Sequence, residues 1–319
     1  MTKRLPLAML ALALTVAAAS PARAITYGVH DDGEHPYVGF LIFFDPVEPG
    51  WFSCTGTLLG PTTVLSAGHC TFDIGTSGQP SPGGTGGNDV WVSFDEHVDL
   101  TDMPKSADYP DDEAGLYAAR SAWLEANPGF TRGTSYPHPG YDDFADFPAD
   151  HDVGVVVLDR PSAVTSYATL APVGTLDAIA GRAKDHNKVI VETAGYGIQE
   201  VKPRSVELDE RWKSTSTIVN LKSALTAGWN VHTSNNPSPA NGRGGTCFGD
   251  SGGGVFLNDT STVVAVVSFG NNDNCKGADY SARADVADTQ DFVLPFLGAP
   301  TPAGDAGTSR LARGRRHRH

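Results

Sequence analysis

The run Cys247-Phe248-Gly249-Asp250-Ser251-Gly252-Gly253, with Leu65-Ser66-Ala67-Gly68-His69-Cys70 far upstream, supplies a candidate nucleophile and a candidate general base. A serine hydroxyl is a weak nucleophile at neutral pH. It needs a neutral imidazole to take its proton and backbone N–H groups to hold the oxyanion that forms on attack. Glycine beside the serine serves the second need. Gly249, having no Cβ, can adopt a backbone conformation closed to other residues and turn its N–H, with that of Ser251, toward one point.

A third group, a carboxylate, should hold the imidazole in one tautomer and stabilise the imidazolium. Asp152 heads the apolar, β-branched run Val153-Gly154-Val155-Val156-Val157-Leu158, which reads as a buried strand. Asp150 competes for the role, and His151 competes with His69 as base, but the strand register favours Asp152. The order is therefore His69, Asp152, Ser251, which separates this arrangement from those of subtilisin and the α/β-hydrolases.

With these residues the chain resembles the chymotrypsin-like (trypsin-like, S1 family) serine proteases of the bacterial secreted type. The resemblance runs from Ile25 to about Leu297 through segments in the family's order: Ile25-Thr26-Tyr27-Gly28, His35-Pro36-Tyr37-Val38-Gly39, Cys54-Thr55-Gly56-Thr57-Leu58, the His69 motif, His138-Pro139-Gly140-Tyr141, the Asp152 strand, Ala194-Gly195-Tyr196-Gly197, the Ser251 motif and Ser268-Phe269-Gly270. It implies an all-β fold of two six-stranded antiparallel barrels with a short C-terminal helix. His69 and Asp152 would lie in the first barrel and Ser251 in the second. It also implies disulfides Cys54–Cys70 and Cys247–Cys275, a Ser268 hydroxyl directed at Asp152, and Phe269-Gly270 backbone offered to an extended substrate.

The resemblance further implies an activation pair. A new N-terminus at Ile25 would place its ammonium against Asp250. Counting back from Cys247, Gly245 fills the position where trypsin carries an aspartate, with Thr246 beside it. Gly270 leaves the pocket mouth open and Ala278 lines its far wall. A pocket without charge at its base favours a medium to large uncharged side chain before the scissile bond, whereas Asp279, shifted by one residue, would bring in a carboxylate and restore a preference for Lys or Arg.

The remaining sequence sets the context. The 319 residues fit a single double-barrel unit. Met1–Ala24 has a basic start, an apolar stretch and Ala22-Arg23-Ala24, the pattern of a cleaved secretory signal, and no segment is apolar enough for a membrane span. Domains are thus expected at 1–24 (signal), 25–297 (protease) and 298–319 (disordered basic tail). The net charge is −14, with basic ends that leave about −21 on residues 25–297, which excludes nucleic acid as substrate and suits a secreted, extracellular protein. Four cysteines in an exported chain should be oxidised, and no Cys-x-x-Cys spacing suggests a metal.

Short β-branched runs separated by Gly, Pro, Asn and Asp predict strands over Val38–Phe44, Gly56–Leu59, Thr63–Ser66, Val90–Phe94, Val153–Leu158, Lys188–Ala194, Gly254–Leu257 and Thr262–Ser268. Asp73–Asn88 reads as a surface loop and Asp108–Asn127 as an insertion with one short helix. The expected chemistry is peptide-bond hydrolysis through an acyl-enzyme by a monomer needing no cofactor and no metal. Its partners would be protein or peptide substrates and a protein inhibitor. A catalytically silent binding protein on the same fold is the alternative.

Overall fold

The computed structural model describes residues 24–75, 88–201, 205–236 and 243–298. The expected signal and basic tail, apart from Ala24 and Gly298, and most of the Asp73–Asn88 loop lie outside the described residues. Among the described residues no helix is long and apolar enough to cross a membrane.

Among the described residues, fourteen strands form two closed barrels with two appended strands. The first barrel uses β2 (Val38–Asp45), β3 (Gly50–Leu58), β4 (Thr63–Ser66), β5 (Asp89–Ser93), β6 (Thr131–Pro137) and β7 (Gly154–Leu158), paired in the order β2-β3-β4-β7-β6-β5 and closed by β2 with β5. The second uses β9 (Ile190–Gly195), β10 (Trp212–Asn220), β11 (Asn230–Asn235), β12 (Gly254–Leu257), β13 (Thr262–Gly270) and β14 (Gly277–Arg283). Its pairing order is β10-β11-β14-β13-β12-β9, closed by β9 with β10. β1 (Val29–His30) adds to β10, and β8 (Thr169–Leu170) pairs in parallel with β13. All pairings inside the two barrels are antiparallel, so closure leaves neither barrel an open edge.

Leu41, Leu58, Val64, Val92 and Val156 share one buried face of the first barrel, Phe40, Leu65 and Trp91 are buried on its other face, and Val191, Ile218, Val231, Val255 and Val264 are buried in the second barrel. Each such side chain contributes roughly 1.5–3 kcal/mol by leaving water. Strands β10, β11 and β14 escaped the apolar-run reading because they carry Ser, Thr and Asn on the alternating inner face. The burial of Trp212-Lys213-Ser214-Thr215-Ser216 alternates strictly between buried and half-buried. Period 2 is present there, but apolar bulk is not.

The insertion forms a helix over Glu113–Ala126, longer than its brief periodicity suggests. Asp112 caps it by accepting from Gly115 N at 2.9 Å, and Leu124 is its buried anchor. The C-terminal helix spans Ala287–Leu297 and contains Pro295 in its last turn. A proline so near the end removes one intrahelical bond and leaves the earlier turns intact.

Candidate active site

The barrels meet where His69, after β4, and Asp152, before β7, face the Ser251 turn that precedes β12. The Asp152 side chain is fully buried and grips His69 twice. The backbone N–H of His69 donates to Asp152 Oδ1 at 2.8 Å, and its Nδ1 lies 2.9 Å from Oδ2 and 3.1 Å from Oδ1. Ser268 Oγ donates to Oδ2. This environment fixes the tautomer: Nδ1 carries a proton toward Asp152, which leaves Nε2 as the free base of the neutral ring.

Electrostatics follow the geometry. Burial lowers the His69 pKa, but the charge and hydrogen bond of Asp152, with Asp143 and Asp150 behind them, raise it above the usual histidine value. Burial raises that of Asp152, and the His69 and Ser268 contacts outweigh it to hold the carboxyl below its usual range. Asp150, the competing carboxylate, points elsewhere: it accepts from Asn230 Nδ2 at 3.0 Å, and burial pushes its pKa up to about 6. His151 turns to Asp288, with Nδ1 2.7 Å from Oδ2, and packs on Trp229.

The Ser251 turn is built from glycines with different duties. Gly249 has φ +96°, the left-handed region open to glycine, and Gly252 has φ +85°. A Cβ on Gly252 would lie 2.1 Å from Ser66 Oγ and 2.3 Å from Thr55 O, so the turn presses directly on the first barrel. Thr55 joins the two sides: its N–H donates to Ser251 O at 2.8 Å and its hydroxyl to Gly249 O at 2.8 Å. The N–H groups of Gly249 and Ser251 donate no hydrogen bond among the described residues, which leaves both available to a ligand oxygen. Ser251 and His69 border the same cleft, and no hydrogen bond joins their side chains. Such contacts commonly tighten on substrate binding.

Disulfides Cys54–Cys70 and Cys247–Cys275 brace the His69 loop and the pocket wall. The cleft, about 450 Å³, is lined by Thr246, Ser268, Phe269, Gly270 and Ala278. Gly245, expected with them, lies behind that lining against Asn235, and Asp279 lines the cleft as well. Asp279 is buried, accepting from Asn235 Nδ2 and from Thr246 N, both at 2.8 Å. Phe144 stands 6.1 Å, ring to ring, from both His69 and Phe269, and forms an aromatic wall beside the base.

The pair of Ile25 and Asp250 is expected of a chain cut after Ala24; with Ala24 attached, the Ile25 nitrogen is an amide. Ile25 is buried against Trp212, and the Asp250 carboxylate accepts instead from Gly197 N and Cys247 N, both at 2.8 Å. With amides and no cation for company, burial pushes Asp250 up to about 7. Cβ atoms at Gly195 or Gly197 would come within 2.4 Å of this carboxylate, which explains both glycines of the Ala194-Gly195-Tyr196-Gly197 segment.

Thr55, Phe144, Asn235 and Thr26 were not singled out for the site from sequence. Thr55 and Thr26 carry a signal only through their places beside Cys54 and Ile25. The others act through contacts between residues far apart in the chain.

Among curated proteins none matches this sequence. Among solved structures, HL collagenase is similar at 16% identity and a TM-score of 0.57, over 86% of this chain and 100% of the collagenase. HBP is similar at 16% identity and a TM-score of 0.51, over 85% of this chain and 95% of HBP. Both likenesses concern the fold. A family model described as trypsin matches residues 120–293, and the chain belongs to the trypsin family of serine proteases, with the chymotrypsin-like two-barrel fold.

Proposed function

We propose that the protein is a secreted serine endopeptidase acting through an acyl-enzyme, with Ser251 as nucleophile, His69 as general base and acid, and Asp152 as the group that orients His69. The observation that carries this reading is the two-point grip of Asp152 on His69 beside a serine turn whose two N–H groups are free. Ser251 Oγ attacks the peptide carbonyl carbon as His69 Nε2 takes its proton. The carbonyl oxygen becomes an oxyanion held by the Gly249 and Ser251 N–H groups. The imidazolium then protonates the leaving nitrogen, the C–N bond breaks, and an acyl ester remains on Ser251. Water, deprotonated by His69, attacks that ester, and collapse returns the proton to Ser251.

Secretion rests on the Met1–Ala24 pattern and on two disulfides. Removal of that segment would give Ile25 a free ammonium. Pairing with Asp250, which is buried beside amides alone, would lower the Asp250 pKa and fix the Gly249 turn. The protease unit is assigned to 25–297, acting as a monomer on protein or peptide substrates. Thr246, Ser268, Phe269, Gly270 and Ala278 favour a medium to large uncharged side chain before the scissile bond. A second reading, preference for Lys or Arg, draws on Asp279 in the same lining.

A pre-steady-state burst tests the chemistry. With a p-nitrophenyl ester, protein starting at Ile25 should release one equivalent of nitrophenol rapidly, then turn over slowly, and should cleave casein. Neither should occur in Ser251→Ala. A steady state without a burst, or casein left intact, would count against the acyl-enzyme endopeptidase.

A further inference from the structure

Beneath the cleft, a third side chain takes the space that Gly245 leaves. A Cβ on Gly245 would fall 1.9 Å from Asn235 Cγ and 2.1 Å from its Oδ1. The carboxamide of Asn235, the last residue of β11, therefore occupies the volume that a side chain at 245 would fill. Its orientation is fixed by its partners. Nδ2 donates to two acceptors, Asp279 Oδ1 at 2.8 Å and Thr246 O at 3.1 Å, while Oδ1 faces the Thr26 hydroxyl at 3.4 Å. That hydroxyl also lies 3.2 Å from Gly245 O and 3.3 Å from Cys275 O, and Gly245 N donates to Thr26 O at 3.2 Å. Thr26, Asn235 and Asp279 are buried to 4% exposure or less.

We propose that Asn235 is the specificity-determining residue of the pocket floor: it binds the Asp279 carboxylate from below and, held by Thr26, keeps that charge from a substrate Lys or Arg. The proposal rests on the uncharged preference given above and deepens it. Two amide donors, from Asn235 and Thr246, each hold one carboxylate oxygen. A basic side chain entering the pocket would have to displace them or approach without a direct line to a free oxygen. Burial pushes the Asp279 pKa up to about 6, with the Thr246 and Asn235 bonds offsetting part of it, so near neutral pH the group is an anion whose company is amides. Deleting the Asn235 carboxamide frees Oδ1 and opens room beneath Gly245 for the end of a long cationic chain. Asn235 acts through Asp279 and is not itself expected to touch the reacting atoms.

The test compares kcat/KM for blocked peptide nitroanilides ending in Phe and in Arg, using protein that starts at Ile25. The wild type should prefer Phe. Asn235→Ala should raise the Arg:Phe ratio by about tenfold or more, the size of one charge-assisted hydrogen bond. Adding Asp279→Asn should return the ratio to the wild-type level. Thr26→Val, which removes the hydroxyl at nearly constant volume, should shift the ratio the same way by a smaller factor and supplies the test if Asn235→Ala does not fold. A wild type that prefers Arg would overturn both the uncharged preference and the masking. A wild type that prefers Phe, with a ratio unchanged in Asn235→Ala or in Thr26→Val, would overturn the masking alone. So would a rise that Asp279→Asn does not reverse.

Discussion

Replacing Arg211 with leucine should unfold the protein at lower temperature in a pH-dependent way. Arg211 is 2% exposed at the junction of the barrels. Its Nε donates to Asp31 Oδ2 at 2.8 Å, and Nη1 donates to Val38 O at 3.1 Å, Tyr196 Oη at 3.1 Å and Phe94 O at 3.3 Å. Asp31, fully buried, also accepts from His35 N at 3.0 Å and pairs with His35 Nδ1 at 2.5 Å. Removing one partner of a buried pair strands the other charge and costs about 3–5 kcal/mol. For a unit of this size that corresponds to a Tm lower by on the order of 10 °C.

The pH course follows from the same cluster. Burial raises the Asp31 pKa, but His35 and Arg211 outweigh it and bring it to about 2 from 3.8. A depressed folded value stabilises above the unfolded value and is lost as pH falls toward the folded one, so roughly 2 kcal/mol should disappear between about pH 4 and pH 2. Burial lowers the His35 pKa, and Asp31 and Glu192 outweigh it to leave it raised. A raised folded value stabilises fully below 6.5 and is lost as pH climbs through it. The wild type should therefore be most stable from about pH 4 to 6.5. Scanning calorimetry across pH 2–8 on both proteins would read this directly. The gap between them should be widest on that plateau and should narrow toward pH 2. Melting temperatures within about 2 °C of each other, or a gap independent of pH, would mean that Arg211 does not compensate the buried Asp31 carboxylate.

Three further outcomes follow from the site. Asp152→Asn should lower kcat by on the order of 10⁴-fold without loss of folding, because the amide cannot hold the Nδ1–H tautomer; ester kinetics with circular dichroism would check both. Gly252→Ala should destabilise by about 2–4 kcal/mol, from a strained φ of +85° and a Cβ driven against Ser66 and Thr55, as read by urea unfolding. In the wild type kcat/KM should rise with pH through a value above 6.5, since the base must be neutral and its pKa is raised; an acid limb at or below 6.5 would contradict the His69–Asp152 pairing as described.

The sequence carried the barrels where apolar β-branched residues repeat, as in β7 and β13, and lost them where Ser and Thr fill the inner face, as in β10. His69, Asp152 and Ser251 could be proposed from sequence because each sits in a short segment with its own signal: Ala67-Gly68 before and Cys70 after His69, an apolar β-branched run after Asp152, and glycines on both sides of Asp250-Ser251. Asn235 and Thr26 were hidden for the opposite reason. Asparagine and threonine are ordinary surface residues in composition, and their role arises from contacts with Gly245 and Asp279 that no local spacing records. The Ile25–Asp250 pair rests on the resemblance and concerns a chain cut after Ala24.

The proposed chemistry requires an activated serine at position 251. Protein starting at Ile25 should be treated with a fluorophosphonate and the adduct located by peptide mass spectrometry. One equivalent on Ser251, abolished in Ser251→Ala and in His69→Ala, is the result the geometry predicts. A folded protein that takes no label, or takes it at another serine, would contradict the account.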